Sequence, residues 1–309
     1  MTEVWSRRLC IAAAAALVPG AACVDASPPS TREATVEHVL AHSTILRWAL
    51  RTDPSQEYLV YVSSRAARGA PILVTVHGVS RNVEEHAALF APYAEEHGVV
   101  LIAPFFTPER NEGYQRLSEE GAAQRADLAL DAIVNEVAAA TGADGSRFRL
   151  FGFSGGSQFA HRYTLAHPQR IIRAALGAPG WYTFPDVRTP YPYGLGASPE
   201  RGKLRFDPAR FLRVPIAVFV GEGDTTGGEN FRRDEIVDAQ QGITRRERGQ
   251  RWVEAMNQAA KKRGLAPPAS YQEVAGIEHS FRQFMTEGDL GKRVFDSLFG
   301  STRPAGANP

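Results

Sequence analysis

The stretch FGFSGGSQFAHRY, residues 151–163, sets one serine, Ser154, among Gly152, Gly155 and Gly156. An apolar β-type run, RFRLFGF, leads into it and a helix-forming run follows. Two readings fit. A tight strand-to-helix loop needs small residues for close approach. A strained turn that exposes a nucleophilic serine needs them too, because its backbone conformation is sparsely populated. Residues 152–156 satisfy G-x-S-x-G, and the strand before and helix after turn that loose pattern into a nucleophile elbow. In such a turn the Gly155 N–H faces the place where an oxyanion forms, and the helix N-terminus adds partial positive charge.

Outward from this turn, short β-rich runs alternate with amphipathic helices, which predicts a parallel sheet covered by helices. Residues 45–51 and 57–64 read as two antiparallel strands joined by a turn at Asp53 and Pro54. ILVTVHG and VVLIAPFF read as buried strands separated by a helix that stops at Gly98. A long helix is expected over about 119–141, with Ala126, Leu130, Ile133, Val137 and Ala140 on one apolar face and Gly142 ending it. The helix after Ser154 runs to His167, before Pro168. IIRAALGAP is the sixth strand, VPIAVFVGEGD the seventh with its exit, and ASYQEVAG the last. TRRERGQRWVEAMNQAAKKRG reads as a helix, and FRQFMTEGDLGKRVFDSLF as a single closing helix. The fold class is therefore α/β, a mostly parallel central sheet flanked by helices, with an aromatic-rich insertion over 180–213 after the sixth strand.

The 309 residues are 43% hydrophobic, enough for a large core. The 35 basic and 34 acidic residues leave a net charge of +1, which gives no footing for nucleic acid. The only cysteines are Cys10 and Cys23, so the body of the chain has no disulfide, thiolate metal site or cysteine nucleophile. The first 26 residues read as an export signal, with Arg7 and Arg8 before LCIAAAAALVPGAA and a small-residue site at Val24-Asp25-Ala26. SRRLCI loosely resembles a twin-arginine signal, and GAAC a lipoprotein box that makes Cys23 a candidate lipid anchor. Residues 27–36 are expected to form a linker, 37–300 the catalytic domain and 301–309 a flexible tail. No transmembrane span is expected in the mature chain.

A serine needs a base, and the base an orienting acid. Asp224 follows the seventh strand in GEGD, and His279 follows the eighth in GIEHSF. Both lie just past strand C-termini, where open α/β sheets place their sites. Asp186, in the insertion, is the second candidate for the acid, and Glu222, two residues before Asp224, is read as facing away from it. His161 and His167 ride on the helix after Ser154, while His38, His42, His86 and His97 read as surface or core residues. His77-Gly78-Val79 ends the third strand, and the Val79 N–H is expected beside that of Gly155 as the second oxyanion donor. His77 reads as a structural loop residue.

With HGVS, GFSGGS, GEGD and EHSF in this order, the chain resembles the α/β-hydrolase superfamily over about residues 46–299. Within it, the chain is similar to secreted bacterial esterases of the polyhydroxybutyrate-depolymerase and feruloyl-esterase type. The resemblance implies acyl transfer to Ser154 followed by hydrolysis, with no metal or organic cofactor, on a small-molecule or polymeric ester. An amidase or peptidase on the same residues, or a non-catalytic binding protein that kept the fold, are the alternatives. Trp181, Tyr182, Phe184, Tyr191 and Tyr193 either wall the site for an apolar acyl or aryl group or pack the insertion onto the body. Arg245, Arg246, Arg248 and Arg251 read as a solvated helix face with i,i+4 pairing.

Overall fold

The computed structural model describes residues 43–117, 124–225 and 231–300. The predicted export signal, linker and tail lie outside the described residues. Eight strands form one sheet in the order β1-β2-β4-β3-β5-β6-β7-β8. They are β1 (Leu46–Leu50), β2 (Asp53–Val62), β3 (Ile72–Val76), β4 (Val100–Pro104), β5 (Phe148–Phe153), β6 (Ile171–Gly177), β7 (Ile216–Gly221) and β8 (Ala269–Val274). β2 runs antiparallel to β1 and β4, and every other pairing is parallel.

The period-2 alternation of the strands divides the core between two faces. Ile72, Val74, Val100, Ile102, Leu150, Leu176 and Val218 point to one face. They meet α2 (Ala126–Thr141), α3 (Gly155–Ala166) and α5 (Arg245–Lys261) through Leu130, Ile133, Phe159, Trp252 and Met256. Leu73, Leu101, Phe151, Ala175 and Phe219 point to the other. They meet α1 (Val83–His97), α6 (Phe281–Thr286) and α7 (Leu290–Phe299) through Phe90, Phe284, Val294 and Phe295. Gly98 and Gly142 end α1 and α2 with positive φ, 65° and 73°.

Four expectations are corrected. The first hairpin turns at Arg51 and Thr52, because Leu50 already pairs with Asp53. The long helix begins at Ala126, after an extended N-cap at Arg125 (φ −65°, ψ 110°), and the expected part over 118–123 lies outside the described residues. The stretch TTGGENFRRDEIVDAQQGI, which reads as a second long excursion after the seventh strand, holds a short helix, α4 (Glu235–Gln241), whose N-cap Asp234 accepts from the Val237 N–H. The closing helix is two: Asp289 sits at φ 51°, and a Cβ at Gly288 would lie 2.8 Å from Val274 Cγ1, so the chain breaks to seat both pieces on the sheet.

Three buried histidines tie these layers together without charge. His77 Nδ1–H donates to the Gly78 carbonyl at 2.8 Å, and Nε2 accepts from the Phe106 N–H at 3.1 Å. His161 does the same with the Ser157 carbonyl at 2.9 Å and the Thr183 N–H at 3.0 Å. His86 bonds Thr75 Oγ1 at 2.8 Å and stacks on Phe281. A ring that donates from one nitrogen and accepts at the other is neutral. Burial holds His77 down to about 4 and drives His86 and His161 well below the ordinary 6.5. As pH falls through 6.5 an unfolded chain takes up these protons and the folded one does not, so stability is whole above that pH and drains away toward 4. Urea melts between pH 7.5 and 5 will show this loss. In His77→Gln the slope will flatten by up to about 1.4 kcal/mol per pH unit; an unaltered slope contradicts the neutral burial of this ring.

Candidate active site

The site begins with a steric constraint. A Cβ at Gly156 would lie 2.0 Å from the Val76 carbonyl oxygen, and one at Gly152 would lie 2.1 Å from the Gly156 carbonyl oxygen. Only glycine lets α3 come this close to β3 and β5. Between them Ser154 turns the chain at φ 53°, ψ −113°, a strained conformation for a residue with a side chain. The Ser154 N–H donates to the Gly177 carbonyl at 2.7 Å. The Ser157 hydroxyl lies 2.5 Å from the Gly152 carbonyl and 2.8 Å from that of Gly177. These bonds hold the turn and leave the Ser154 side chain half-exposed at the sheet's C-terminal edge.

The ends of β7 and β8 bring the other groups to it. His279 Nε2 is 3.0 Å from Ser154 Oγ, and His279 Nδ1 is 2.8 Å from Asp224 Oδ2. With Nδ1 protonated and donating to the carboxylate, Nε2 is free to accept the serine proton. Phe153, next to the serine, stacks on the His279 ring with centroids 5.3 Å apart. Asp224 is fully buried at its side chain, while that of His279 is 27% exposed. Gly221 makes the approach possible, for a Cβ there would lie 2.2 Å from the Ile277 carbonyl oxygen in the His279 loop.

Across the turn, a Cβ at Gly155 would meet the Tyr114 hydroxyl at 2.8 Å and the Val79 nitrogen at 3.4 Å, so the Val79 and Gly155 amides are neighbours. Gly155 opens α3 and its N–H has no intrahelical acceptor. The loop carrying Val79 is pinned by the Tyr114 hydroxyl on the His77 carbonyl at 2.9 Å and by the Arg81 N–H on the Gly78 carbonyl at 3.1 Å.

A cavity of about 520 Å³ opens beside Ser154. Val79, Phe153 and Phe281 supply its apolar lining, and Asn82, Gln158, Arg245 and Ser280 much of its polar lining. At its margin Arg282 pairs with Glu85 at 2.6 Å. Among the described residues no cluster of three or more His, Cys, Asp or Glu side chains is placed to hold a metal ion.

The aromatic insertion lies elsewhere. Trp181, Tyr182, Phe184 and Tyr191 are buried, and none lines the cavity, so the walling expectation gives way to packing. The cause is that buried side chains capture the insertion's backbone at its first residues. Arg248 donates to the Gly180 carbonyl at 2.7 Å, Gln241 bonds both the backbone N–H and the carbonyl of Tyr182, and the Trp252 indole donates to the Thr183 carbonyl at 2.9 Å. Tyr182 stacks on Trp252, and the Arg162 guanidinium lies 4.1 Å from the Trp181 ring centroid. The hydroxyl of Tyr191 donates to the Arg116 carbonyl. Asp186 pairs with Arg188 and bonds its N–H, within its own turn. Glu222 accepts from the Gly276 N–H, and His167 bonds Asp127.

The arginine cluster is also corrected. Arg246 pairs with Glu273 near the surface, but Arg245 and Arg248 are buried. Arg248 pairs with Asp238, and Arg245 Nη1 donates to Asp224 Oδ1 at 2.7 Å. A signal existed in the sequence. Cations in the first turn of a helix oppose the macrodipole and call for carboxylate partners. Tyr114, Ser157 and Phe153 had no such mark; their roles come from distant contacts.

No family model matches the chain, and no curated protein matches it. Solved structures share its arrangement. Poly(aspartic acid) hydrolase-1 from Sphingomonas sp. KT-1 is similar at a TM-score of 0.67 and 23% identity, over 78% of this chain and 93% of that one. The poly(3-hydroxybutyrate) depolymerase LpqC from Bordetella parapertussis is similar at 0.66 and 23%, over 85% and 98%. An S-formylglutathione hydrolase from Agrobacterium tumefaciens follows at 0.54 and 19%, over 79% and 90%. The chain has the α/β-hydrolase fold. In that fold the turn at Ser154 is the strand-to-helix elbow after β5.

The geometry separates the two candidate acids. Asp224→Asn is expected to lower kcat by about 10³–10⁴-fold, by analogy with other serine triads, whereas Asp186→Asn will stay within about threefold of wild type. Equal losses in the two variants would remove Asp224 from this role.

Proposed function

We propose that the protein is an exported serine hydrolase that cleaves carboxylic esters through an acyl-enzyme. The observation that carries this reading is the unbroken hydrogen-bond chain from Ser154 Oγ through His279 to Asp224, on a turn strained at Ser154. Ser154 attacks the ester carbonyl as His279 Nε2 takes its proton. The Val79 and Gly155 amides receive the oxyanion, aided by the N-terminus of α3. His279 returns the proton to the leaving alcohol. Water then enters by the same route and releases the acid. The residues that act need no cofactor for this sequence of steps.

The mixed lining of the cavity favours an acyl or alcohol part with polar groups, small or as one unit of a polymer. The hydrolases among the similar structures, two of them named for polymeric substrates, support this reading through their shared fold. Export rests on the N-terminal signal pattern.

The test uses p-nitrophenyl esters of rising chain length beside an anilide of the same acyl group. Ester turnover is expected to exceed anilide turnover and to vanish in Ser154→Ala; cleavage of the anilide alone would establish an amidase, and undiminished turnover in Ser154→Ala would exclude this serine. Tyr182→Ala and Trp181→Ala will lower Tm, since each empties a packed site, without changing the ratio of long-chain to short-chain ester turnover. A changed ratio would return these rings to the substrate.

A further inference from the structure

The carboxylate of Asp224 is buried and accepts two hydrogen bonds among the described residues, one from His279 Nδ1 and one from Arg245 Nη1. They fall on different oxygens. Oδ2 faces the histidine at 2.8 Å and Oδ1 faces the arginine at 2.7 Å. A carboxylate on a turn rotates about its last torsion with little resistance. An oxygen held by a fixed cation removes that freedom and aims the other oxygen.

Arg245 is built to be that fixed cation. It is the first residue of α5, and its backbone is set by a capping box in which Thr244 and Glu247 bond each other's N–H. Its side chain is 5% exposed, and its guanidinium carbon lies 4.6 Å from the Phe231 ring centroid. Arg248, one turn on, rests against the same ring at 4.0 Å, and Asp238 offsets its charge. The planar guanidinium offers donors in fixed directions, unlike a swinging ammonium.

We propose that Arg245 is a positioning residue for the triad: it clamps Asp224 Oδ1 so that Oδ2 holds the His279 ring in line with Ser154. The proposal rests on the serine-hydrolase reading above. It assigns to α5 a task in catalysis although Arg245 need not touch the substrate. It also accounts for a cation at a helix N-terminus, where the macrodipole alone disfavours one.

The test is made on Arg245→Met and Arg245→Lys, with Asp224→Asn alone and combined with Arg245→Met. Two rates are measured: kcat and KM on a p-nitrophenyl ester, and the rate at which an alkyl fluorophosphonate modifies Ser154. The second needs the triad but no ester, and a melt of each variant shows which are folded. In folded Arg245→Met, kcat and the modification rate are expected to fall about 10²-fold, the scale of a small misplacement of a reacting group, with KM within about threefold. Arg245→Lys will recover part of both rates. In the Asp224→Asn background the Met substitution will cost less than about threefold more, because the group it positions is already lost. A folded Arg245→Met that is modified at the wild-type rate overturns the proposal. So does a loss that multiplies in full on Asp224→Asn, which marks a merely structural role. If Arg245→Met does not fold, Arg245→Lys decides: kcat about tenfold down at constant KM supports the clamp, and an unchanged kcat overturns it. A wild-type protein modified at Ser154 that cleaves no ester removes the ester reading and leaves the clamp to be judged by the modification rates. One that is not modified at all removes both.

Discussion

The approach of α3 to the central strands is the constraint on which the rest of the structure depends. Two positions, Gly152 and Gly156, have no room for a Cβ, because carbonyl oxygens lie where it would stand. Interiors are packed so that such contacts do not relax by small adjustments. The helix can start this close to the strand only if the chain reverses within one residue, and that residue is Ser154 at positive φ. The strain is offset by bonds from its own N–H and from Ser157 to the carbonyls of β5 and β6. Burial of the helix against the sheet is thereby converted into exposure of one hydroxyl.

The other half of the site is delivered by a second close approach. Gly221 at the end of β7 lets the His279 loop cross directly over it, which brings the exits of β7 and β8 together. The imidazole then has three neighbours, a carboxylate on one nitrogen, the serine on the other and the Phe153 ring against its face. Each is fixed by an element whose position the sheet dictates. The loop that carries Val79 is held by a different device, the Tyr114 hydroxyl reaching a carbonyl just before Gly78.

The aromatic insertion shows how buried polar side chains organise a long irregular segment. A loop without regular structure carries peptide groups that need partners once buried. His161, Gln241, Arg248 and Trp252 provide them, and the aromatic rings fill the space that remains. The insertion becomes part of the core, and the cavity is left with the polar lining of Asn82, Gln158, Arg245 and Ser280.

The sequence by itself determined the eight strands, the stops of α1 and α2, the elbow at Ser154 and the candidate acid and base. These features rest on local physics. Period-2 apolar runs make strands, glycines permit positive φ, and a strand-turn-helix with small residues makes an elbow. Tertiary structure alone decided the break between α6 and α7, the burial of Trp181, Tyr182, Phe184 and Tyr191, and the fates of the four arginines. Charge and aromaticity suit a surface, a binding wall or a core equally well when read along a chain. Which one applies depends on partners far away in sequence: Trp252 lies 69 residues from Thr183, and Arg245 lies 21 from Asp224. Local pattern can show that a cation calls for a carboxylate but carries no record of which one it meets, because a buried charge is tolerated only where the folded chain happens to bring its counterpart.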